Sequence, residues 1–177
     1  MIFRLDDRLI FPEPGLAEPD GLLAVGGDLS TDRLLLAYQH GIFPWYGDDT
    51  PILWYSPHER FVLYPEELKV SKTMRQVLRS GKFTITTDTC FDKVIADCAV
   101  IKRKGEAGTW ITGEMQAAYI KLHVEGYAHS VEVWQQGELA GGLYGVQAGN
   151  VFCGESMFSK VSNASKAALI YLCNTGL

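Results

Sequence analysis

The sequence lacks the features that mark several familiar classes of protein. No run of about 18 apolar residues occurs, so no membrane-spanning helix is expected. Its four cysteines form no CxxC pair and sit among apolar neighbours, which predicts reduced core thiols and no metal site. The motifs GxSxG and HExxH and the Walker phosphate loop are absent too, as is the pyrophosphate loop of acetyl-CoA users.

Composition and charge favour a cytosolic globular protein. The chain has 177 residues, 47% of them hydrophobic, which is enough to bury a sizeable core. An acidic pair, Asp6-Asp7, stands where a signal peptide would continue apolar. The formal net charge of −5 argues against a protein that coats nucleic acid, although it leaves room for a local basic patch.

Acidic residues are missing from one stretch, KVSKTMRQVLRSGK at 69–82. Its apolar positions have the spacing of a helix that Ser71 can cap: Val70, Met74, Val77 and Leu78. Three basic positions share another face: Lys72, Arg75 and Arg79. Lys102, Arg103 and Lys104 could extend the charge. Most such faces are simply solvated, but this one also suits phosphate groups, so a polyanion partner stays open.

The remaining pattern predicts an α+β protein. Strands are expected at ILWYS, RFVLY (60–64) and FTITT, and helices at 30–41, 91–101 and 112–126. A hairpin turning at Gln136-Gly137 follows. The stretch VFCGES is then expected to be the end of a buried strand, and a helix capped by Ser162 or Asn163 comes last. We place a domain boundary near residue 60, which gives domains 1–60 and 61–177. A helix that leaves a central strand normally crosses to another strand, so a C-terminal element is expected to be missing.

Glu155 is the strongest candidate for chemistry. It lies in the apolar run VFCGESMFS at 151–159, with no Lys or Arg within three residues on either side. A desolvated carboxylate has a raised pKa or needs a cation, which a substrate amine could supply. The alternative is a strand-end carboxylate that accepts backbone N–H bonds. A Cys153–His129 nucleophile pair is disfavoured, because a thiol in an apolar run is usually inert.

Aromatic residues cluster beside Pro-rich and Gly-rich segments. Trp45 and Trp110 occupy such positions, where rings can be held at a surface. Most aromatic residues of a globular chain belong to its core. However, stacking on aromatic rings is also how unpaired RNA ends are commonly bound. Exposed aromatic rings and a basic stripe together indicate RNA better than either feature alone.

Several stretches together resemble the leucyl/phenylalanyl-tRNA–protein transferases. They follow the order of that family along nearly the whole chain: GLLAVGGDLS (21–30), AYQHGIFPWY (37–46), ILWYSP (52–57), GTWIT (108–112), YAHSVEVW (127–134), GGLYGV (141–146) and FCGESMFSKVSNASK (152–166). The segments FCGESMFS and GIFPWY are the most specific to it. The resemblance implies a small N-terminal domain followed by a domain like the GCN5-related acyltransferases.

The resemblance also implies an activity. Members of this family transfer Leu or Phe from an aminoacyl-tRNA to the N-terminal amine of proteins beginning with Arg or Lys, marking them for degradation in the bacterial cytosol. The expected partners are therefore Leu-tRNA, Phe-tRNA and those acceptor proteins, with no membrane and no metal or nucleotide cofactor. The protein is expected to act as a monomer.

Site residues follow by matching positions. Trp45 and Trp110 are expected to contact the terminal adenosine of the tRNA, and the basic helix its phosphates. Glu155 matches a pocket position, and its apolar surroundings make it the expected catalytic residue. The substrate pocket is expected to be lined by Leu143, Phe152, Gly154, Ser156, Met157 and Leu172. Members of the family often have Met at position 143 and an aromatic residue at position 172.

One departure puts activity in doubt. The family continues beyond the matching part, into a segment with a catalytic Asp-x-Gln motif. A tRNA-binding fragment without activity is therefore one alternative, and an acyl-CoA-dependent acetyltransferase is another.

Overall fold

The computed structural model describes residues 2–101 and 110–176, so Lys102, Arg103 and Lys104 lie outside the described residues. The helices found in these ranges are α1 (Thr31–Gln39), α2 (Lys72–Arg79), α3 (Phe91–Val100), α4 (Gly113–Val124) and α5 (Ala164–Thr175). The strands are β1 (Phe3–Leu5), β2 (Leu22–Gly26), β3 (Phe43–Pro44), β4 (Leu53–Tyr55), β5 (Thr84–Thr87), β6 (Ala128–Gln135), β7 (Glu138–Ala148) and β8 (Val151–Ser159). Short 3₁₀ turns occur at Pro14–Leu16 and Pro65–Glu67.

The strands form two separate sheets. The first has the order β1-β2-β4-β3, with β1 parallel to β2 and the other neighbours antiparallel. The second is antiparallel throughout, with the order β5-β6-β7-β8, so β8 is an edge strand. Separate sheets combined with helices make an α+β protein, as the sequence predicts. No helix within the described ranges is long and apolar enough to cross a membrane.

Two apolar clusters cover the two faces of the second sheet. One joins this sheet to α1, α3, α4 and the first sheet, through buried residues such as Leu34, Trp54, Ile95 and Tyr119. The other packs α2 and α5 against the opposite face, through residues such as Met74, Leu143 and Ala167. The first cluster draws on residues from both sides of position 60. The domain boundary placed there stays a prediction.

Several local features agree with their sequence signals. The Ser71 hydroxyl accepts a hydrogen bond from the Met74 N–H, and the Thr112 hydroxyl accepts one from the Met115 N–H, so both residues cap their helices. The turn between β6 and β7 places Gln136 at φ 53° and Gly137 at φ 82°. Two successive positive φ angles define the tight turn that matches the twist of a hairpin.

Two expectations about strands are wrong. The segment 60–64 forms no strand, and its apolar side chains point to solvent, with Phe61 fully exposed. An apolar run becomes a strand only where a neighbouring edge pairs with its backbone, and no described strand does so here. The stretch VFCGES is not the end of a buried strand, because it belongs to the edge strand β8, where Val151 is 60% exposed.

Gly141 marks the closest approach of β7 to α5. A Cβ atom at this position would lie 2.6 Å from the Cβ of Ala164 and 3.0 Å from the carbonyl oxygen of Phe158. We therefore expect Gly141→Ala to lower the free energy of unfolding by about 1–3 kcal/mol, as overpacked cores do. Urea denaturation measures the change. The matched control is Gly113→Ala, where nothing lies within 4 Å of the added atom, and equal stability of the two variants would contradict the packing argument.

Candidate functional site

Glu155 is the extra residue of a β-bulge in the edge strand β8. Tyr144 of β7 pairs with Ser156, and Gly145 pairs with Gly154, so Glu155 has no partner of its own. Without the bulge, alternation would place Glu155 on the same face as Met157. The bulge turns its side chain to the opposite face, where Tyr38 lies. Bulges are common beside active sites because they redirect a side chain in this way.

Two buried tyrosines complete the surroundings of this carboxylate. The Tyr38 hydroxyl donates a hydrogen bond to Oε1 of Glu155 at 2.7 Å. The same hydroxyl is hydrogen-bonded to that of Tyr119, whose side chain is fully buried. The rings of the two tyrosines meet edge to face, with centroids 6.5 Å apart. Among the described residues, the partner found for Glu155 is a tyrosine hydroxyl and not the backbone N–H of the alternative interpretation.

Burial shifts the acidity of the whole group. Loss of solvent raises the pKa of Glu155 from 4.5 to about 7. The hydrogen bond from Tyr38, the charge of Arg60 and the nearby hydroxyl of Tyr119 each lower this pKa, but burial outweighs them. Burial also raises the pKa values of Tyr38 and Tyr119 well above 10, so both remain donors. Near neutral pH, Glu155 can therefore either accept or release a proton.

The sequence did not reveal the partners of Glu155. Arg60 supplies a positive charge that lowers the pKa of Glu155, so the chain itself contributes a cation near this carboxylate. Tyr38 comes from α1 and Tyr119 from α4, far from Glu155 along the chain. Tyr38 lies in the segment AYQHG that carries the family resemblance, which was a usable signal. For Tyr119, the only signal in the sequence was its position on the apolar side of the helix α4.

The predicted pocket residues fall on both sides of the second sheet. Leu143 is buried in the cluster beneath α2 and α5, and Phe152 and Leu172 pack against the same cluster. Met157, which is 42% exposed, pairs directly with Leu143, and cross-strand partners share a face. These four side chains therefore gather on one face, while Glu155 faces the other. Gly154 and Ser156 flank Glu155 at the bulge.

The two predicted tryptophans lie on neighbouring segments. Trp45 follows β3 and is 51% exposed, whereas Trp110 is partly buried against the first cluster. The hydroxyl of Tyr46, next to Trp45, donates a hydrogen bond to Oε2 of Glu114 at 3.1 Å. Glu114 is in the first turn of α4, which begins just after Trp110. This hydrogen bond joins the two tryptophan-bearing segments.

The basic helix α2 presents its cations to solvent. Lys72, Arg75 and Arg79 are all exposed, and none forms an ion pair with a described residue, while Met74 on the opposite side is buried. Lys72 stands at the first position of the helix, and no acidic residue occupies that turn. The helix dipole disfavours a cation at this end. The charge at Lys72 is therefore not explained by the stability of the helix.

The Cys153–His129 alternative receives no support from the geometry. Nδ1 of His129 lies 2.8 Å from Oδ2 of Asp88, and the other oxygen of Asp88 accepts the N–H of Ser130. Burial and the charge of Glu155 raise the pKa of the Cys153 thiol. A thiol with a raised pKa carries little of the thiolate that a nucleophile needs.

Comparisons with known proteins agree on one family. Residues 62–176 match the family model described as leucyl/phenylalanyl-tRNA protein transferase, and residues 27–58 match the model for its N-terminal domain. The chain is 58% identical over 171 residues to the leucyl/phenylalanyl-tRNA–protein transferase of Syntrophobacter fumaroxidans, with 97% of the chain and 73% of that protein covered. The similarly named protein of Syntrophus aciditrophicus is 61% identical over 164 residues, with 93% of the chain and 69% of that relative covered.

The raised pKa of Glu155 predicts a pH-dependent stability that disappears when the carboxylate is replaced. The folded state holds the proton up to about pH 7, whereas the unfolded chain releases it near pH 4.5. The free energy of unfolding should therefore fall as pH rises between these values, by up to roughly 3 kcal/mol. Glu155→Gln keeps an oxygen for the hydrogen bond from Tyr38 and should flatten this slope in urea titrations.

The control for this experiment is Glu138→Gln, which replaces an exposed carboxylate at the start of β7. It should leave the slope of stability against pH as it is in the unmodified protein. An unchanged slope in Glu155→Gln would show that Glu155 has an ordinary pKa in the folded state.

Proposed function

The chain belongs to the leucyl/phenylalanyl-tRNA protein transferase family, and we propose that it transfers leucine or phenylalanine from an aminoacyl-tRNA to other proteins. The proposed acceptor is the N-terminal amine of a protein that begins with Arg or Lys. The added residue would mark that protein for degradation in the cytosol. This protein would work as a monomer, on tRNA and polypeptide substrates.

The observation that carries this proposal is the placement of Glu155. An aminoacyl ester is already activated, so the reaction mainly requires that an amine be held near the ester carbonyl and lose a proton. The pKa of Glu155, about 7, suits a group that accepts this proton at neutral pH. The hydrogen bond from Tyr38 fixes the carboxylate in position. The proton passes from the ammonium of the acceptor to Glu155, and the freed amine attacks the ester carbonyl. The bond between the carbonyl carbon and the tRNA oxygen then breaks, and the proton that the new amide nitrogen loses passes to this oxygen, which leaves as the tRNA hydroxyl.

The edge strand β8 explains how groups on both faces of the sheet could serve one reaction. Leu143, Phe152, Met157 and Leu172 line one face and suit the apolar side chain of leucine or phenylalanine. Glu155 faces the other side, at the bulge. β8 is the last strand in the order of the described sheet, and its side chains alternate between the two faces, so groups of both faces lie close together along this strand. Gly154 and Ser156 lie on either side of Glu155, at the bulge.

The tRNA would be held at two places. Trp45 and Trp110, on adjoining segments, suit stacking against the terminal adenosine. Lys72, Arg75 and Arg79 form an exposed basic face that suits the phosphates of the tRNA body. The chemistry requires no metal and no nucleotide cofactor, since the ester bond supplies the driving force.

A second candidate is binding of tRNA without transfer. The alignments cover 69 to 73% of the length of three similar relatives. Among the groups proposed for the reaction, only Glu155 is in a position to accept a proton, and the basic face could bind tRNA without it. The two candidates differ in turnover and agree on tRNA binding.

A transfer assay separates these candidates. The chain is incubated with Phe-tRNA and a peptide that begins with Arg, and the peptide is analysed by mass. We expect an added phenylalanine, and we expect Glu155→Gln to slow its addition at least tenfold, since positioned general bases commonly contribute 10²-fold or more. Glu138→Gln serves as the control. Equal rates in the two variants would remove Glu155 from the mechanism, and bound tRNA without any transfer would favour the second candidate.

The basic face can be tested by reversing its charge. Replacing Lys72, Arg75 and Arg79 together by Glu should weaken the binding of all tRNAs alike, because phosphate contacts carry no sequence information. The slope of log affinity against log salt should become shallower by roughly 2 to 3. The matched control reverses three exposed cations elsewhere: Arg8, Lys93 and Lys121. An equal loss in both triple variants would contradict a specific role for α2.

A further inference from the structure

Three aromatic residues form a continuous row on the outward face of the first sheet. Phe43 of β3 pairs with Tyr55 of β4, and Pro44 pairs with Trp54, which is fully buried. Side chains alternate along a strand, so Phe43, Tyr55 and Trp45 share the face opposite to Trp54. We call Phe43, Trp45 and Tyr55 the aromatic row.

The rings of the aromatic row contact one another and end at an arginine. Tyr55 stands in the middle, with its ring centroid 5.5 Å from that of Trp45 and 6.4 Å from that of Phe43. The planes of Phe43 and Tyr55 are within 25° of parallel. The guanidinium of Arg60 lies over the Phe43 ring at 5.0 Å, and its Nη1 donates a hydrogen bond to the carbonyl oxygen of Gly41 at 2.8 Å.

The position of Arg60 links the aromatic row to the site around Glu155. The charge of Arg60 acts on both Glu155 and Cys153 and favours their ionised forms. One end of the aromatic row therefore lies within electrostatic range of the bulge. The other end is Trp45, whose ring is half exposed. The row is continuous with the proposed site and is not a separate surface.

The chemistry of the aromatic row favours an unpaired stretch of RNA over a polypeptide. Accessible rings beside an arginine stack bases and meet phosphates, and this combination is typical of single-strand binding. Arg60 forms no ion pair with any described carboxylate, so its charge remains available for a phosphate. Asp48 and Asp49, which follow Trp45 closely, make that end unfavourable for a phosphate. Phosphates would therefore lie toward Arg60.

We propose that the aromatic row and Arg60 bind the unpaired nucleotides that precede the terminal adenosine of the tRNA. Tyr55 provides the stacking surface for a base, Phe43 supports both the Tyr55 ring and the Arg60 guanidinium, and Arg60 faces the connecting phosphates. This inference rests on the proposed function, because it assigns an additional binding subsite to the same tRNA. In this proposal Arg60 and Tyr55 bind the aminoacyl-tRNA, in addition to Trp45.

The test compares short RNA probes. Calorimetry measures the binding of the trinucleotide CCA and of adenosine 5′-monophosphate, which share the terminal base. We expect CCA to bind roughly tenfold more tightly, the difference that one additional stacked base provides. Tyr55→Leu should abolish this preference for CCA and change the affinity for the mononucleotide less than twofold. Arg60→Gln, a change at an exposed side chain, should weaken CCA binding and reduce its dependence on salt.

The matched control is Tyr127→Leu, which removes a 40% exposed aromatic ring just beyond α4, away from the aromatic row. It should preserve the preference for CCA. Equal affinity for the two probes in the unmodified protein, or a preference for CCA that survives both Tyr55→Leu and Arg60→Gln, overturns this inference. So does displacement of CCA by a short acceptor peptide. If intact tRNA still binds and donates in those cases, the proposed function stands. Failure of intact tRNA to bind would overturn the proposed function itself.

Discussion

The carboxylate of Glu155 is held where its charged form is costly, and the packing around the site is arranged to limit that cost. Three groups lower its pKa: the hydroxyls of Tyr38 and Tyr119 and the charge of Arg60. Tyr38 comes from α1, Tyr119 from α4, and Arg60 from the connection between the two sheets. These elements must converge for the carboxylate to be buried at all. The remaining rise, to about 7, corresponds to roughly 3 kcal/mol, a large fraction of the stability of a typical domain.

The local structure was readable from the sequence because its causes are local. Ser71 and Thr112 cap helices whose apolar spacing is visible within a dozen residues, and Gln136-Gly137 carries the conformational preference of a tight hairpin turn. The strand predicted at 60–64 was wrong because strand formation depends on a partner strand, which the residues of the segment do not specify. A β-branched and aromatic run has the composition of a strand, but here its backbone has no described edge to pair with.

The site was only partly predictable, because its contacts join residues far apart in the chain. Glu155 stood out through its apolar neighbours, yet its hydrogen bond to Tyr38 spans 117 positions. Residues adjacent in sequence looked like one pocket, but the bulge in β8 turns Glu155 to the face opposite that of Met157. The bulge at Glu155, next to the paired Gly145 and Gly154, leaves no trace in the sequence beyond glycines, which also serve ordinary turns. The pairing register of β7 and β8, which fixes the direction of the Glu155 side chain, could therefore not be predicted from the sequence.

The charges proposed for tRNA binding are exposed to solvent, whereas the carboxylate proposed for proton transfer is partly buried. Binding and proton transfer therefore depend on charges in different dielectric surroundings. The cations on α2 stand in solvent, where salt screens them over about 8 Å at physiological ionic strength. Lys72 even stands against the helix dipole, a cost of some tenths of a kcal/mol that only an external anion would offset. Glu155 is partly buried beside Tyr38, so salt screens its charge less than it screens the cations on α2. Ionic strength should therefore act on recognition of a polyanion through α2. Proton transfer depends instead on a carboxyl group whose pKa is set mainly by burial.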